Sequence, residues 1–235
     1  MISTLKKKVV GLVWFVTNNM TKQQTLSWSE IAKAPDKAGI YAWYFRPELT
    51  DHDINYLIES IKINPDKASD QIKSFFTERL FRYFMQKPYE VEISGQLKPR
   101  YSGKIEHKQD VTEGLIQRIK ENPQRLFSIR DLLQESVPMF ASPLYVGMSS
   151  SIKQRVMQHA NFIKKYKESA SNPFIRLSDD EIDMDEKSFA QRVVERGIPS
   201  SRLFLVYQTT DTELDIQVDV ENIINRIYYP TLGRN

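Results

Sequence analysis

The sequence predicts an α+β fold, and two observations carry that prediction. Short apolar runs of strand length, "GIYAWYF" at 39–45, "SPLYVGM" at 142–148 and "RLFLVYQTT" at 202–210, are separated by longer stretches whose apolar residues return at three- and four-residue steps. Composition is that of an ordinary globular chain: 40% hydrophobic and 27% charged residues over 235 positions, with no internal repeat or low-complexity segment. That length accommodates one domain with an insertion or two small domains.

Taken in order, the chain opens with three lysines ahead of the apolar run Val9 to Val16, the outline of a signal peptide. The run is short and the following "TNNM" has no small-residue cleavage site, so it reads as a buried strand or helix. "TLSWSEIAKAP" is a helical start, and Ile40 to Phe45 is a strand. From Pro47 to about Lys87 the pattern is helical, with Ile72, Phe75, Phe76, Leu80 and Phe84 on one face. "YEVEISGQL" alternates as a strand or hairpin does, "VTEGLIQRIKEN" and "FSIRDLLQES" are short helices, and Pro138 closes the second. "SPLYVGM" is a buried strand, followed by a serine-capped helix through "SSIKQRVMQHANFIKKYKESA". The acidic run Asp179 to Glu186 is a solvated loop, without the glycine and terminal glutamate of a Ca²⁺ loop. A helix at "KSFAQRVVERG", a strand at "RLFLVYQTT" and a helix at "VDVENIINRIY" complete the chain.

Zero cysteine excludes disulfides, thiolate zinc sites and cysteine nucleophiles, and fits a reducing, cytoplasmic setting. No apolar stretch approaches the roughly 18 residues that span a bilayer, so no membrane partner is expected. Net charge is +3, a mild basic bias whose distribution matters more than its sum. Lys153, Lys164, Lys165 and Lys167 cluster on or after one helix with Arg155 and suit phosphate contacts to DNA. Lys98, Arg100, Lys104 and Lys108 surround the predicted hairpin, which suits base reading in a groove or else carries solvated charges on a helical buttress.

The chemistry centres on the helix after Gly147. Arg155 and His159 stand four residues apart and share a face. Arginine offers a fork for phosphate oxygens and histidine exchanges a proton near neutral pH, while free amides at a helix start favour an anion. His52 and His107 have no partner at useful spacing and read as surface residues.

Gly39-Ile40-Tyr41 and Tyr145-Val146-Gly147, with Arg155 eight residues after the second glycine and His159 four beyond it, resemble the GIY-YIG nuclease family. The resemblance extends to Glu221 in a later helix, followed by Pro230 at the ninth position and, more weakly, by Asn235. The tripeptides lie 104 positions apart, so residues 47–142 form a mainly helical insertion, a DNA-recognition or structural region, between a first segment, 1–46, and the remainder of the core, 143–235. Met148 stands where many members have lysine, with Lys153 one turn away, and Gly233 stands where the asparagine often falls. "RYSGKIEHK" imitates the second tripeptide, but Val111 occupies the arginine position.

The resemblance implies a small, mostly antiparallel, three-stranded sheet flanked by helices, and metal-dependent hydrolysis of DNA phosphodiesters. Glu221 would hold one Mg²⁺ or Mn²⁺ ion, Arg155 would neutralise phosphate charge, and Tyr41, Tyr145 and His159 would orient and deprotonate water. Tyr41 is the favoured base, aided by His159, with the reverse order open. Gly39 and Gly147 would be structural turns. A restriction or defence endonuclease on double-stranded DNA is the leading expectation; a repair or homing-type nuclease and a silent DNA-binding module are the alternatives. Double-strand cutting by a one-site enzyme requires a homodimer or two sequential nicks.

Overall fold

A computed structural model describes residues 24–85, 89–93, 101–105, 110–171, 184–211 and 214–232. In chain order the elements are β1 (Gln24–Ser27), β2 (Gly39–Phe45), α1 (Asp51–Ile63), α2 (Ala68–Arg79), β3 (Tyr89–Ile93), β4 (Tyr101–Ile105), α3 (Glu113–Glu121), α4 (Arg125–Phe140), β5 (Tyr145–Ser149), α5 (Ile152–Ser171), α6 (Met184–Glu195), β6 (Leu203–Thr209) and α7 (Leu214–Tyr228). The Val9 to Val16 run lies outside the described residues.

The described residues form two units. The first, drawn from 24–44, 142–189 and 203–232, holds a four-stranded antiparallel sheet in the order β1-β6-β2-β5. In β2 and β5 the register sets Tyr41 opposite Gly147, Ala42 opposite Val146 and Trp43 opposite Tyr145. Side chains alternate along each strand, so Tyr41, Trp43 and Tyr145 share one face while Ala42 and Val146 share the other. On the first face α5 contributes Val156, His159, Ala160 and Ile163, buried at helical spacing, and Phe189 of α6 stacks on Trp43 with ring centroids 6.1 Å apart.

The second unit, 45–141 with 190–202, is mainly helical. Ile54, Leu57, Ile58 and Ile61 of α1 pack with Ile72, Phe75 and Phe76 of α2 and with Ile116 and Ile119 of α3 around a core of their own. Thr50 caps α1 by accepting from Asp53 N–H at 3.1 Å, and Asp53 pairs with Arg79 at 2.9 Å. The β3–β4 hairpin is a separate two-stranded sheet.

Five expectations are corrected. The main sheet has four strands instead of three: β1 is a four-residue, mostly polar "QTLS" that pairs with β6, and nothing local marks so short a strand. The helical start read there begins later, at Trp28, behind a Ser27–Glu30 capping box. Helix α2 stops at Arg79, and Tyr83 and Phe84 turn instead onto Phe45, with centroids 5.2 and 5.3 Å away. Helix α4 runs through Pro138 to Phe140, because one lost backbone bond near the end of a 16-residue helix does not stop it. The end of the acidic run, from Met184, is the start of α6 and not loop.

Among the described residues no helix is long and apolar enough to cross a membrane.

Candidate functional site

The site begins where β5 becomes α5. Ser151 Oγ accepts from Gln154 N–H at 3.2 Å, the N-cap that the serine run predicts. The neighbouring amides do not stay free, however. Ile152 N–H donates to the Lys37 carbonyl at 3.0 Å and Lys153 N–H to the Pro35 carbonyl at 3.1 Å, while Ser151 Oγ also donates to Asp36. The expectation of an anion at this helix start is therefore overturned, because the 35–37 loop and its carboxylate already hold those donors. Any phosphate must be met by side chains farther along α5.

Those side chains converge under the sheet. Tyr41 Oη and His159 Nε2 lie 3.2 Å apart across 118 residues of sequence. With the ring proton on Nδ1 the phenol donates; with the other tautomer His159 donates. The Arg155 guanidinium and the Tyr145 hydroxyl are also within hydrogen-bonding reach of the Tyr41 oxygen. The Tyr145 ring is 6.1 Å from that of Tyr41 and 5.2 Å from that of His159. Tyr41, Tyr145, Arg155 and His159 thus form one group, drawn from β2, β5 and α5.

Gly39 and Gly147 are not the expected turns but paired positions of β2 and β5, and close packing is what calls for a glycine at each. A Cβ on Gly147 would stand 2.7 Å from Tyr41 Oη and 2.8 Å from Tyr145 Cε1, so the tyrosines close over a bare backbone. A Cβ on Gly39 would collide with the Gln208 carbonyl oxygen.

Electrostatics follow from burial. Tyr41 is 1% exposed and His159 0%. Burial, and then the neighbouring Tyr145, push the Tyr41 phenol well above its ordinary value, with Arg155 pulling the other way. Burial, and then the Arg155 charge, push His159 down to about 3. Near neutral pH the pair is a neutral phenol beside a neutral imidazole. Phenolate is not populated until something adds to the pull of Arg155. Two ring atoms here, His159 Nδ1 and Trp43 Nε1, are buried without a hydrogen-bond partner among the described residues.

Glu221 comes from α7, half-buried and one turn after the buried Gln217. Helix α7 packs against β5, the edge strand carrying Tyr145 and Gly147. Its residues Gln217, Val220 and Ile224 line a cavity of about 430 Å³ with Ala42, Tyr44 and Val146, which belong to the sheet face opposite Tyr41. Among the described residues no three carboxylates, imidazoles or thiols gather as a metal cage. What Glu221 offers is one carboxylate, and that donor set fits a hard cation keeping most of its waters, as Mg²⁺ does.

The basic residues are more dispersed than their sequence clustering suggests. At 100° per residue, Lys153 and Lys164 fall on the side of α5 away from Arg155, and both are exposed. Lys164 stands 4.0 Å from Glu168, and Lys165 lies over the Phe162 ring at 6.0 Å. Lys167 is half-buried, which lowers its pKa. Lys104 is exposed on β4, whereas Lys98, Arg100, Lys108 and Asn235 lie outside the described residues.

Sequence reasoning missed Trp43 and Phe189, whose rings pack against His159 at 6.5 and 5.2 Å. Trp43 was legible, two positions from Tyr41 on an alternating strand. Phe189 had no local signal. Comparison of the chain with protein-family models, with curated proteins and with solved structures found no match.

Proposed function

We propose that the chain is a metal-dependent endonuclease of the GIY-YIG kind, hydrolysing phosphodiester bonds of double-stranded DNA. One observation supports this above the rest: Tyr41 and, more than 100 residues later, Tyr145, Arg155 and His159, all named by the motif spacing, meet around one phenol oxygen over Gly147. A buried packing tyrosine needs one hydrogen-bond partner at its hydroxyl, which His159 supplies; an arginine beside it exceeds that need.

In this reading Arg155 takes a non-bridging phosphate oxygen and neutralises charge as it builds there. That same anion offsets the Arg155 charge acting on His159, which makes His159 a better proton acceptor than in the free protein. Tyr41 receives a proton from the attacking water while its own moves to His159 Nε2, or the imidazole takes the proton first and Tyr41 orients the water. Glu221 would hold a divalent cation, which when bound stabilises the leaving oxygen and the pentavalent phosphate.

A second reading rests on burial. With Tyr41 and His159 almost wholly enclosed, the same group could serve only to fix the fold of a silent DNA-binding module. The two separate cleanly when the purified chain is incubated with plasmid, linear, single-stranded and modified DNA in Mg²⁺ or Mn²⁺. The nuclease reading predicts nicked or linear product that requires the metal, and sequenced ends then tell a fixed motif from a structure-directed cut. DNA that is bound but left intact under every condition would sink the nuclease reading and leave the silent module.

A further inference from the structure

Helix α7 carries one broad apolar arc. Its inner part holds the buried Gln217, and Ile216, Val220 and Ile224 line the cavity. Its outer edge is open: Ile216, Ile223 and Ile227 are 49%, 57% and 64% exposed, Ile216 while also lining the cavity. At 100° per residue these three fall within an arc of about 40°, with Val220 at its edge. The order Ile216, Val220, Ile223, Ile227 steps by four, three and four residues, the a/d spacing of a two-helix seam. Three isoleucines in line on an open helix face mark an interaction surface.

The charges beside the stripe identify the partner. With Val220 and Ile227 at a and Ile216 and Ile223 at d, Asp219 and Arg226 both fall at g, and both are exposed. When two α7 helices run antiparallel, each a residue packs against a d residue of the other. Ile216 then meets Ile227 of the second copy, and Val220 meets Ile223. In that register g faces g, so Asp219 meets Arg226 of the second copy, and a two-fold axis makes the pair twice. Parallel pairing sets g against e instead, which places Asp219 opposite Ile224 of the second copy and wastes the charge. Arg226 donates to the Asn222 carbonyl of its own helix at 3.0 Å, an exposed bond that water readily replaces.

We infer that α7 is a self-association face, on which a second copy of this chain docks antiparallel through the isoleucine stripe and two Asp219–Arg226 pairs. Four a/d layers make a small interface, so the dimer is weak and reversible. The inference does not rest on the nuclease reading. An inactive dimer leaves it intact, and an active protein that stays monomeric removes it. Where both hold, the axis brings two Glu221-bearing helices side by side, a route to cutting both strands.

Sedimentation equilibrium of the full chain, over roughly 1 to 300 µM where small interfaces associate, tests it. The expected result is a reversible monomer–dimer equilibrium. Asp219→Arg or Arg226→Asp alone weakens it about tenfold, and the two together restore it to within about threefold, as paired reversal of an ion pair requires. Ile223→Glu with Ile227→Glu abolishes the dimer and leaves the melting temperature unchanged. A wild-type monomer throughout, or a double charge reversal no tighter than the singles, overturns the inference. So does a fall in melting temperature in the isoleucine variant, which would show that the chain's own residues cover the stripe.

Discussion

His159 sits among Tyr41, Trp43, Tyr145 and Phe189 with no acidic side chain among the groups that act on it, and the neighbouring Arg155 disfavours its charged form further. Its folded-state pKa of about 3 lies below the ordinary value of 6.5. A depressed histidine favours the fold above its unfolded pKa, and that contribution is lost as pH falls from 6.5 towards 3. Across that window the unfolded chain binds one more proton, a slope of about 1.4 kcal/mol per pH unit. Denaturant unfolding at several pH values should show this slope in the wild type and its loss in His159→Phe, which keeps a ring in the aromatic surround. An NMR titration in which His159 changes charge near pH 6.5 would contradict the burial argument. At this scale helical spacing named Arg155 and His159, a local property, whereas Tyr41 and Tyr145 were singled out only by the resemblance of their tripeptides. The direction of the Tyr41 shift was not legible, since it depends on how deeply two distant elements enclose the phenol.

At the scale of elements, the turn from β5 into α5 governs the site. Gly147 leaves the room in which the Tyr41 hydroxyl lies, since a methyl added there would stand only 2.7 Å from that oxygen. Gly147→Ala therefore forces Tyr41 off its rotamer or β5 away from β2, an overpacking cost of about 1–3 kcal/mol. We predict a destabilised but folded protein whose Tyr41–His159 contact is broken. Unfolding free energy and any DNA cleavage should fall together, whereas Gly103→Ala, with no atom within 4 Å of the added carbon, should change neither. Unchanged stability in Gly147→Ala would refute the steric account. The strand and the helix were legible from "SPLYVGMSSSIKQRVMQH", but the break expected at Gly147 falls after Ser149, because β5 stays paired with β2 through that glycine. The fate of the α5 amides was not, because their acceptors, Lys37 and Pro35, precede the helix by more than 100 residues. Strand β1 was hidden for a similar reason: four mostly polar residues become a strand only because β6 is there to pair with them.

For the whole molecule, the spacing of the motifs carries more than any one of them. Between Tyr41 and Tyr145 the chain builds a helical unit with its own apolar core, which 190–202 rejoins, and then returns so that β5 pairs with β2 and faces Gly147 to Tyr41. That pairing is what brings the two tripeptides together. Glu221 was legible only through the resemblance, and α7 uses its buried side to line a cavity that no sequence pattern announced. The proposed activity requires the carboxylate on α7 and the guanidinium on α5 to act on one phosphate. The measurement that tests this most directly is single-turnover cleavage of duplex DNA in Mg²⁺ by the wild type, Glu221→Ala, Arg155→Ala and Tyr41→Phe, each shown by circular dichroism to be folded. We predict metal-dependent cleavage by the wild type and none by Glu221→Ala. Rates should fall about 10²- to 10³-fold in Arg155→Ala and about 10²- to 10⁴-fold in Tyr41→Phe. Wild-type rates in folded Glu221→Ala or Arg155→Ala would contradict the account, because the site would then lie elsewhere.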